Sequence, residues 1–465
     1  MSLESHALRV LLPSFRGPAL PSEWAVLLEE GLGGICLFGS NLTGSTGDVR
    51  ALTDAVRRAR PDALVAVDEE GGDVTRLHTR TGSPVLGAAQ LGTIDDLALT
   101  AAAGRAVAAD LRAAGVDLDL GPVADVNSNP DNPVIGTRSF GSDPGLVGRH
   151  VAAWVGGLQS GGVAACVKHF PGHGDTSMDS HLALPIVDVD LDILAGRELV
   201  PFAAAVDAGV AAVMTSHLLV PAVDPDLPAT LSPRVLALLR GGLGFTGLIV
   251  TDALDMAGVS DGRGIPEAAV LSLVAGADLL CLGPDKDVAL VREVQSAIVS
   301  AVRSGRLREA RLVEAAARVD GLRLRPSSSP APTTDQLAGA RRAVTVEGTL
   351  PDLRGAAVVS IATRANIAVG DAVWGLPADD FLDPTQPDRW PAGQGPLVVQ
   401  VRDAHRRPEV GALVGGLAAT RPVVVVEWGW PGPYDDRAPR ICTRGSSLPA
   451  VAAVREVLAS AGWER

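Results

Sequence analysis

The chain has 465 residues, 47% of them hydrophobic, with 40 basic side chains against 54 acidic ones and a net charge of −14. That length exceeds one ordinary core and predicts two domains. The acidic balance excludes a nucleic-acid partner, which demands a basic face, and no unbroken apolar run approaches the ~20 residues that span a bilayer.

In chain order, the opening Met1-Ser2-Leu3-Glu4-Ser5-His6 is polar and lacks a basic leader, and the next seven residues are too short and broken for a signal peptide. The expectation is a cytoplasmic protein with no membrane insertion and no obligate protein partner. Short apolar runs ending in turn residues then recur at Leu8–Leu12, Gly34–Phe38, Leu64–Val67, Val116–Leu120, Ala164–Val167, Ala211–Thr215, Leu248–Thr251 and Ala277–Leu282. Between most of them lie stretches of helical periodicity, including Asp48–Ala59, Asp96–Ala114, Leu146–Ser160 and Pro266–Ala275. Strand alternating with helix predicts a parallel sheet, and eight repeats predict closure into a TIM-type (β/α)8 barrel over residues 1–324. Residues 325–337 are Pro/Ser-rich and read as a linker. A second βα series follows at Ala356–Ile361, Leu397–Val401 and Val423–Glu427, with a helix over Leu448–Ala461. Residues 338–465 are therefore expected to form a smaller α/β sandwich-like domain. Five of the seven tryptophans lie there, and Trp428 and Trp430 are expected to pack rather than to stack on a ligand. The four cysteines, Cys36, Cys166, Cys281 and Cys442, sit in apolar stretches without framework spacing and read as buried and reduced.

In a barrel the chemistry belongs at the C-terminal strand ends, and reactive residues follow the apolar runs there. After the third run come Asp68-Glu69-Glu70-Gly71-Gly72, then Arg76. After the fourth come Asp125, Asn127 and Asn129, then Arg138. The fifth leads into Lys168-His169-Phe170-Pro171-Gly172-His173-Gly174-Asp175, the sixth ends at His217 and the seventh at Asp252. Four of the eight histidines fall between residues 169 and 217. Carboxylates, cations and histidines in one pocket suit a polyhydroxylated ligand, whose hydroxyls need donors and acceptors together. A carboxylate beside cations stays ionised, as a nucleophile at an anomeric carbon must. No HExxH or similar pairing supports a zinc site, and the Gly-rich pieces lack the strand–GxGxxG–helix order of dinucleotide binding; no metal or cofactor is expected.

The stretch Val167–Thr176, with Asp179-Ser180-His181 and Leu184-Pro185, resembles the signature of glycoside hydrolase family 3. The Asp-Ser-His unit narrows the resemblance to that family's β-N-acetylglucosaminidase branch. Supporting segments are Val67–Gly72, Val134–Gly141, Met214–His217, Pro228–Ser232 and Gly244–Met256. The resemblance implies Asp252 as nucleophile and His181, partnered by Asp179, as general acid/base on a loop spanning residues 172–184, with Gly172 and Gly174 as hinges. It implies Asp68, Arg76, Arg138, Lys168 and His169 as ligands of the sugar's hydroxyls and acetamido group, and His217 is counted with them. A histidine oriented by a nearby carboxylate replaces the second carboxylate that most retaining glycosidases use. The substrate implied is an oligosaccharide ending in β-linked N-acetylglucosamine, from cell-wall recycling or chitin. Position 73 is Asp where the branch commonly has a basic residue, and Ala253-Leu254-Asp255 is closer to the two-domain members. Three other readings stay open: a phosphorylase on the same glycosides, a β-glucosidase, and a barrel that binds sugar without turnover.

Overall fold

The computed structural model describes residues 2–44, 46–176, 184–322, 335–363, 368–370, 374–386, 390–434 and 437–464. Eight short parallel strands form the first half: β1 (Leu11–Leu12), β2 (Gly34–Leu37), β3 (Leu64–Val67), β4 (Leu118–Asp119), β5 (Ala164–Phe170), β6 (Ala212–Thr215), β7 (Leu248–Val250) and β8 (Leu280–Cys281). Strands β2 to β7 pair in sequence order and β8 pairs with β1. Backbone hydrogen bonds beside the paired residues close the remaining gaps. Cys36 N donates to Pro13 O at 2.9 Å between β1 and β2, and Thr251 N to Leu279 O at 2.9 Å between β7 and β8. The ring is a TIM-type barrel wrapped in helices.

Alternation along the strands sorts the side chains. Leu12, Cys36, Leu64, Ala66, Leu118, Cys166, Ala212, Met214, Leu248, Val250 and Cys281 fill the barrel interior. Ile35, Leu37, Val65, Val67, Ala165, Val167, Val213 and Ile249 face the helices. Many interior side chains are small, which lets eight strands close tightly. Continuing the interior series two residues beyond Ala66, Cys166 and Val250 gives Asp68, Lys168 and Asp252 at the C-terminal mouth.

The first predicted strand, Leu8–Leu12, is only partly one. Residues Leu3–Arg9 form a helix whose Ser2 cap accepts from Ser5 N at 3.2 Å, leaving Leu11–Leu12 to pair. That helix delivers Arg9 beneath the barrel to Asp62, at 2.7 Å, and to Asp320. Also at this end, fully buried Asp278 receives Arg240 at 2.5 Å, Arg318 at 3.0 Å, Arg311 and the Ile249 amide at 2.9 Å. Val319 and Leu322, at the end of the last barrel helix, plug the interior from below.

The second half is one six-stranded sheet in the order β11-β10-β12-β13-β14-β9, where β9 is Thr345–Glu347, β10 Ala357–Ile361, β11 Asp380–Leu382, β12 Leu397–Val401, β13 Val423–Glu427 and β14 Arg440–Cys442. All pairs are parallel except β14 with β9. Helix Leu448–Ser460 covers one face and Pro408–Ala418 the other, each with its own apolar layer, which makes an α/β/α sandwich. Trp428 is wholly buried in the first layer, with its Nε1 on Gln400 Oε1 at 3.2 Å. The residues 323–334 that include most of the predicted linker lie outside the described residues. Helix Gln336–Ala343 begins inside its predicted end, capped by Asp335. Its Ala340 and Ala343 join the core around the barrel. Among the described residues no helix is long and apolar enough to cross a membrane.

Candidate active site

Strand β5 sets the floor of the mouth. Lys168, 2% exposed, places Nζ 2.6 Å from Asp68 Oδ1 and 2.7 Å from Glu70 Oε1. Glu70 also grips Arg138 in a fork, Nε to Oε2 at 2.9 Å and Nη2 to Oε1 at 2.7 Å. A planar guanidinium meeting a carboxylate bidentately is fixed in direction as well as position. Burial opposes charge on all three groups, yet Arg138 and Lys168 together hold Glu70 well below the usual carboxylate range. Asp68 and Glu70 in turn hold Lys168 above the usual ammonium range, so the cluster stays charged at neutral pH.

His169 stands beside this cluster. Its Nδ1 lies 2.7 Å from Asp125 Oδ2; a carboxylate kept low by that histidine can only accept, so the ring donates there. Its other nitrogen, Nε2, is turned toward Arg138 Nη2 at 3.5 Å. Asp125 Oδ1 also accepts the His173 amide at 2.7 Å, so one buried carboxylate ties the fourth strand's end to the root of the loop after β5.

That root is packed in place. A Cβ on Gly174 would sit 1.7 Å from Val126 O, and one on Gly172 (φ +132°) 2.5 Å from Glu198 Oε2. In this structure the two glycines, expected as hinges, permit close approach of backbone to its neighbours. His173 is 2% exposed and its Nδ1 meets Thr176 Oγ1 at 2.8 Å. Burial, then the nearby His169, pulls its pKa down to about 4, partly opposed by Asp125 and Asp252. Arg197 bridges Asp175 and Glu198 at 2.6 Å each, and burial pushes Glu198 up to about 7.

Asp252 follows β7, half-buried, with Ala253 N donating to its own Oδ1 at 2.8 Å. The turn after it is held from two sides. Asp255 pairs with Lys286 at 2.7 Å, and His217 Nε2 meets Ala253 O at 2.9 Å while its Nδ1 meets Thr230 Oγ1 at 2.9 Å. His217, expected as a sugar ligand, has both ring nitrogens engaged within the protein and so braces the backbone beside Asp252. Arg76 is half-buried, and its Nη2 donates to Ala368 O of the second half at 2.7 Å. Asp179 and His181 lie outside the described residues.

Asp68, Arg138, Lys168, His169 and Asp252 are thus brought to one end of the barrel. Sequence reasoning noted Glu70 and Asp125 after their strands but gave them no role. The Asp-Glu-Glu run does not say which acid turns inward, since that depends on where Arg138, 68 residues away, arrives.

Comparison with known proteins bears on this site. A family model described as the glycosyl hydrolase family 3 N-terminal domain matches residues 18–322. The chain is 33% identical over 339 residues to the β-hexosaminidase A of Pseudoalteromonas piscicida, an alignment covering 67% of this chain but 56% of that protein. It is 41% identical over 279 residues to a β-hexosaminidase of Chromobacterium violaceum, covering 58% of this chain and 77% of the relative. Among solved structures it is similar to a glycoside hydrolase family 3 β-N-acetylglucosaminidase from Paenibacillus sp. str. FPU-7. The TM-score is 0.86 at 30% identity, covering 99% of this chain and 97% of that one.

Proposed function

We propose, from the premise that this chain belongs to glycosyl hydrolase family 3, that it is a retaining β-N-acetylhexosaminidase releasing terminal, non-reducing β-linked N-acetylglucosamine. The convergence of Asp68, Arg138, Lys168, His169 and Asp252 on one barrel mouth carries the reading. The names of the β-hexosaminidase relatives support the sugar assigned.

In this reading the Asp252 carboxylate attacks the anomeric carbon and forms the glycosyl-enzyme. His181, oriented by Asp179, gives its proton to the departing oxygen. Water then attacks the same carbon, His181 takes the water's proton, and Asp252 leaves. The Lys168 ammonium and the Asp68 carboxylate offer a donor and an acceptor to neighbouring hydroxyls, while Arg138, His169 and Arg76 address the rest of the sugar and its acetamido group. His217 acts one step back, by holding the carbonyl of Ala253. Residues 1–324 form the catalytic barrel, 325–337 the linker and 338–465 the second domain, and the enzyme works in the cytoplasm on recovered cell-wall sugars or chitin oligosaccharides.

The test is nitrophenol release from the aryl β-N-acetylglucosaminide and the aryl β-glucoside, with and without phosphate. Preference for the acetamido sugar, indifferent to phosphate, is expected. Acceleration by phosphate with a sugar phosphate as product would make the enzyme a phosphorylase, and preference for the glucoside would overturn the sugar assignment. His181→Ala is expected to slow natural disaccharides by on the order of 10²-fold or more and activated aryl glycosides far less, because a good leaving group needs little protonation. Equal losses on both substrates would remove His181 from the acid role.

A further inference from the structure

The loops that present the site are stapled to each other twice. The first staple is the Glu70–Arg138 fork. The second is Asp73, 4% exposed at its side chain, whose Oδ2 accepts from Thr137 Oγ1 at 2.6 Å. Thr137 is the residue before Arg138 in the one-turn 3-10 helix Gly136–Arg138, so whatever fixes Thr137 fixes the backbone from which the Arg138 guanidinium extends.

The other oxygen of Asp73 belongs to the second half of the chain. Asp73 Oδ1 accepts from Arg402 Nη2 at 2.7 Å and from the Ser446 amide at 2.7 Å. Gly445 (φ +123°) brings that backbone close enough that a Cβ there would lie 3.3 Å from Asp73 Oδ2. The Arg402 guanidinium lies over the Trp374 ring, 4.9 Å from its centroid, and its side chain is 5% exposed. Nearby, Gln90 Nε2 donates to Thr443 O at 3.0 Å and to Gly445 O at 2.9 Å. A buried ion pair is a poor device for stability alone, because desolvation offsets most of its attraction. Among the described residues the Nε of Arg402 has no hydrogen-bond partner, so stability is not maximised either. What the arrangement does supply is direction: three donors from three segments fix one carboxylate.

We propose that Arg402 is a positioning residue for the sugar-binding Arg138, acting through Asp73 and Thr137, and that the C-terminal domain is thereby part of the substrate-binding apparatus. The route is Arg402 Nη2 to Asp73, Asp73 to the Thr137 hydroxyl, and Thr137 by one peptide to Arg138. It rests on the function proposed above for the sugar's identity and for Arg138 as one of its ligands.

The test uses the full chain carrying Arg402→Met, Thr137→Val, both together, and, as a control, Arg342→Ala, which breaks an exposed ion pair (Arg342 to Asp96, 3.1 Å) that is not part of this route. Amide hydrogen exchange is read over residues 134–141, along with KM and kcat on the aryl β-N-acetylglucosaminide. Arg402→Met is expected to speed exchange over 134–141 about tenfold while the strands stay protected, and to raise KM by about five- to twentyfold with kcat within about threefold. Arg402→Lys should recover part of the KM. The double variant should be no worse than the worse single one, because both cut the same path. The idea is overturned if exchange over 134–141 is unchanged in Arg402→Met, if Arg342→Ala produces the same KM rise, or if the two single effects multiply. The exchange measurement needs no substrate, so an error in the sugar assignment would appear in the parent enzyme's turnover and leave this result readable. Thr137→Val removes only the hydroxyl, so it reports on the path even where Arg402→Met lowers folding yield.

Discussion

The two ends of the barrel use the same residue types for opposite purposes. At the N-terminal end Asp278 is wholly buried and ringed by Arg240, Arg311 and Arg318, and Arg9 is shared by Asp62 and Asp320. These groups pair with one another and tie outer helices to strand starts. At the C-terminal end Lys168, Glu70 and Arg138 are also buried, with Asp68, Arg76 and Asp252 partly exposed around them. At the strand starts such a cluster serves structure, whereas at the strand ends, under the function proposed above, its partly exposed members are there for a ligand.

The contrast is sharpest in activity against stability. Asp252→Ala is expected to lower kcat by on the order of 10⁴-fold or more, as loss of a nucleophile does, with a melting temperature close to the parent's. Near-normal turnover would remove Asp252 from the mechanism. Asp278→Asn is the mirror image. It leaves three arginines without their buried partner and is expected to cost roughly 3–5 kcal/mol, read as a lower denaturation midpoint, while kcat/KM of the folded fraction is unchanged. A loss of kcat/KM in Asp278→Asn at full folding would dissolve the division between the two ends.

A smaller effect probes the mouth's structural share. Because burial holds folded His173 at about 4, below the ordinary ~6.5, the unfolded chain binds a proton that the folded one refuses between those values. Its stabilisation is therefore complete above about pH 6.5 and is lost as pH falls toward 4, roughly 2 kcal/mol between pH 7 and pH 5. Glu198, raised to about 7, runs the other way and loses its contribution as pH rises through 7. The parent therefore has to be compared with His173→Gln, a difference in which Glu198 largely cancels. The melting temperature of His173→Gln is expected to fall less between pH 7 and pH 5 than the parent's. Parallel falls would mean that His173 is protonated in the folded protein.

The barrel strands were legible because each is a buried run bounded by turns; Leu64–Val67 and, in the second domain, Leu397–Val401 and Val423–Glu427 match residue for residue. What periodicity could not show were elements without an apolar run. Thr345–Glu347 is a largely exposed edge strand, Asp380–Leu382 is short and half-exposed, and Arg440–Cys442 begins with a charge. The helix Gln336–Ala343 was masked by its place at the end of a Pro/Ser-rich stretch. In the site, strand-end position found Asp68, Lys168 and Asp252, because alternation along a strand is local. Asp73 stood out only as an acid where a base was expected. Its partners, Arg402 and Ser446, lie more than 300 residues away, and nothing local in the sequence joins them.

The cysteines carry one more consequence. Cys36, Cys166 and Cys281 sit inside the barrel at no more than 2% exposure, with burial pushing the Cys166 thiol up and a neighbouring Cys281 doing the same for Cys36. Cys442 lies in the other sheet, where burial raises its thiol to about 11. Thiols so placed meet an alkylating reagent only when the strands around them part. The chain therefore carries two built-in clocks, three sulfurs timing the opening of the barrel and one timing the opening of the sheet. Equal alkylation rates would say that the two open as a single cooperative body, and unequal rates that one comes apart before the other.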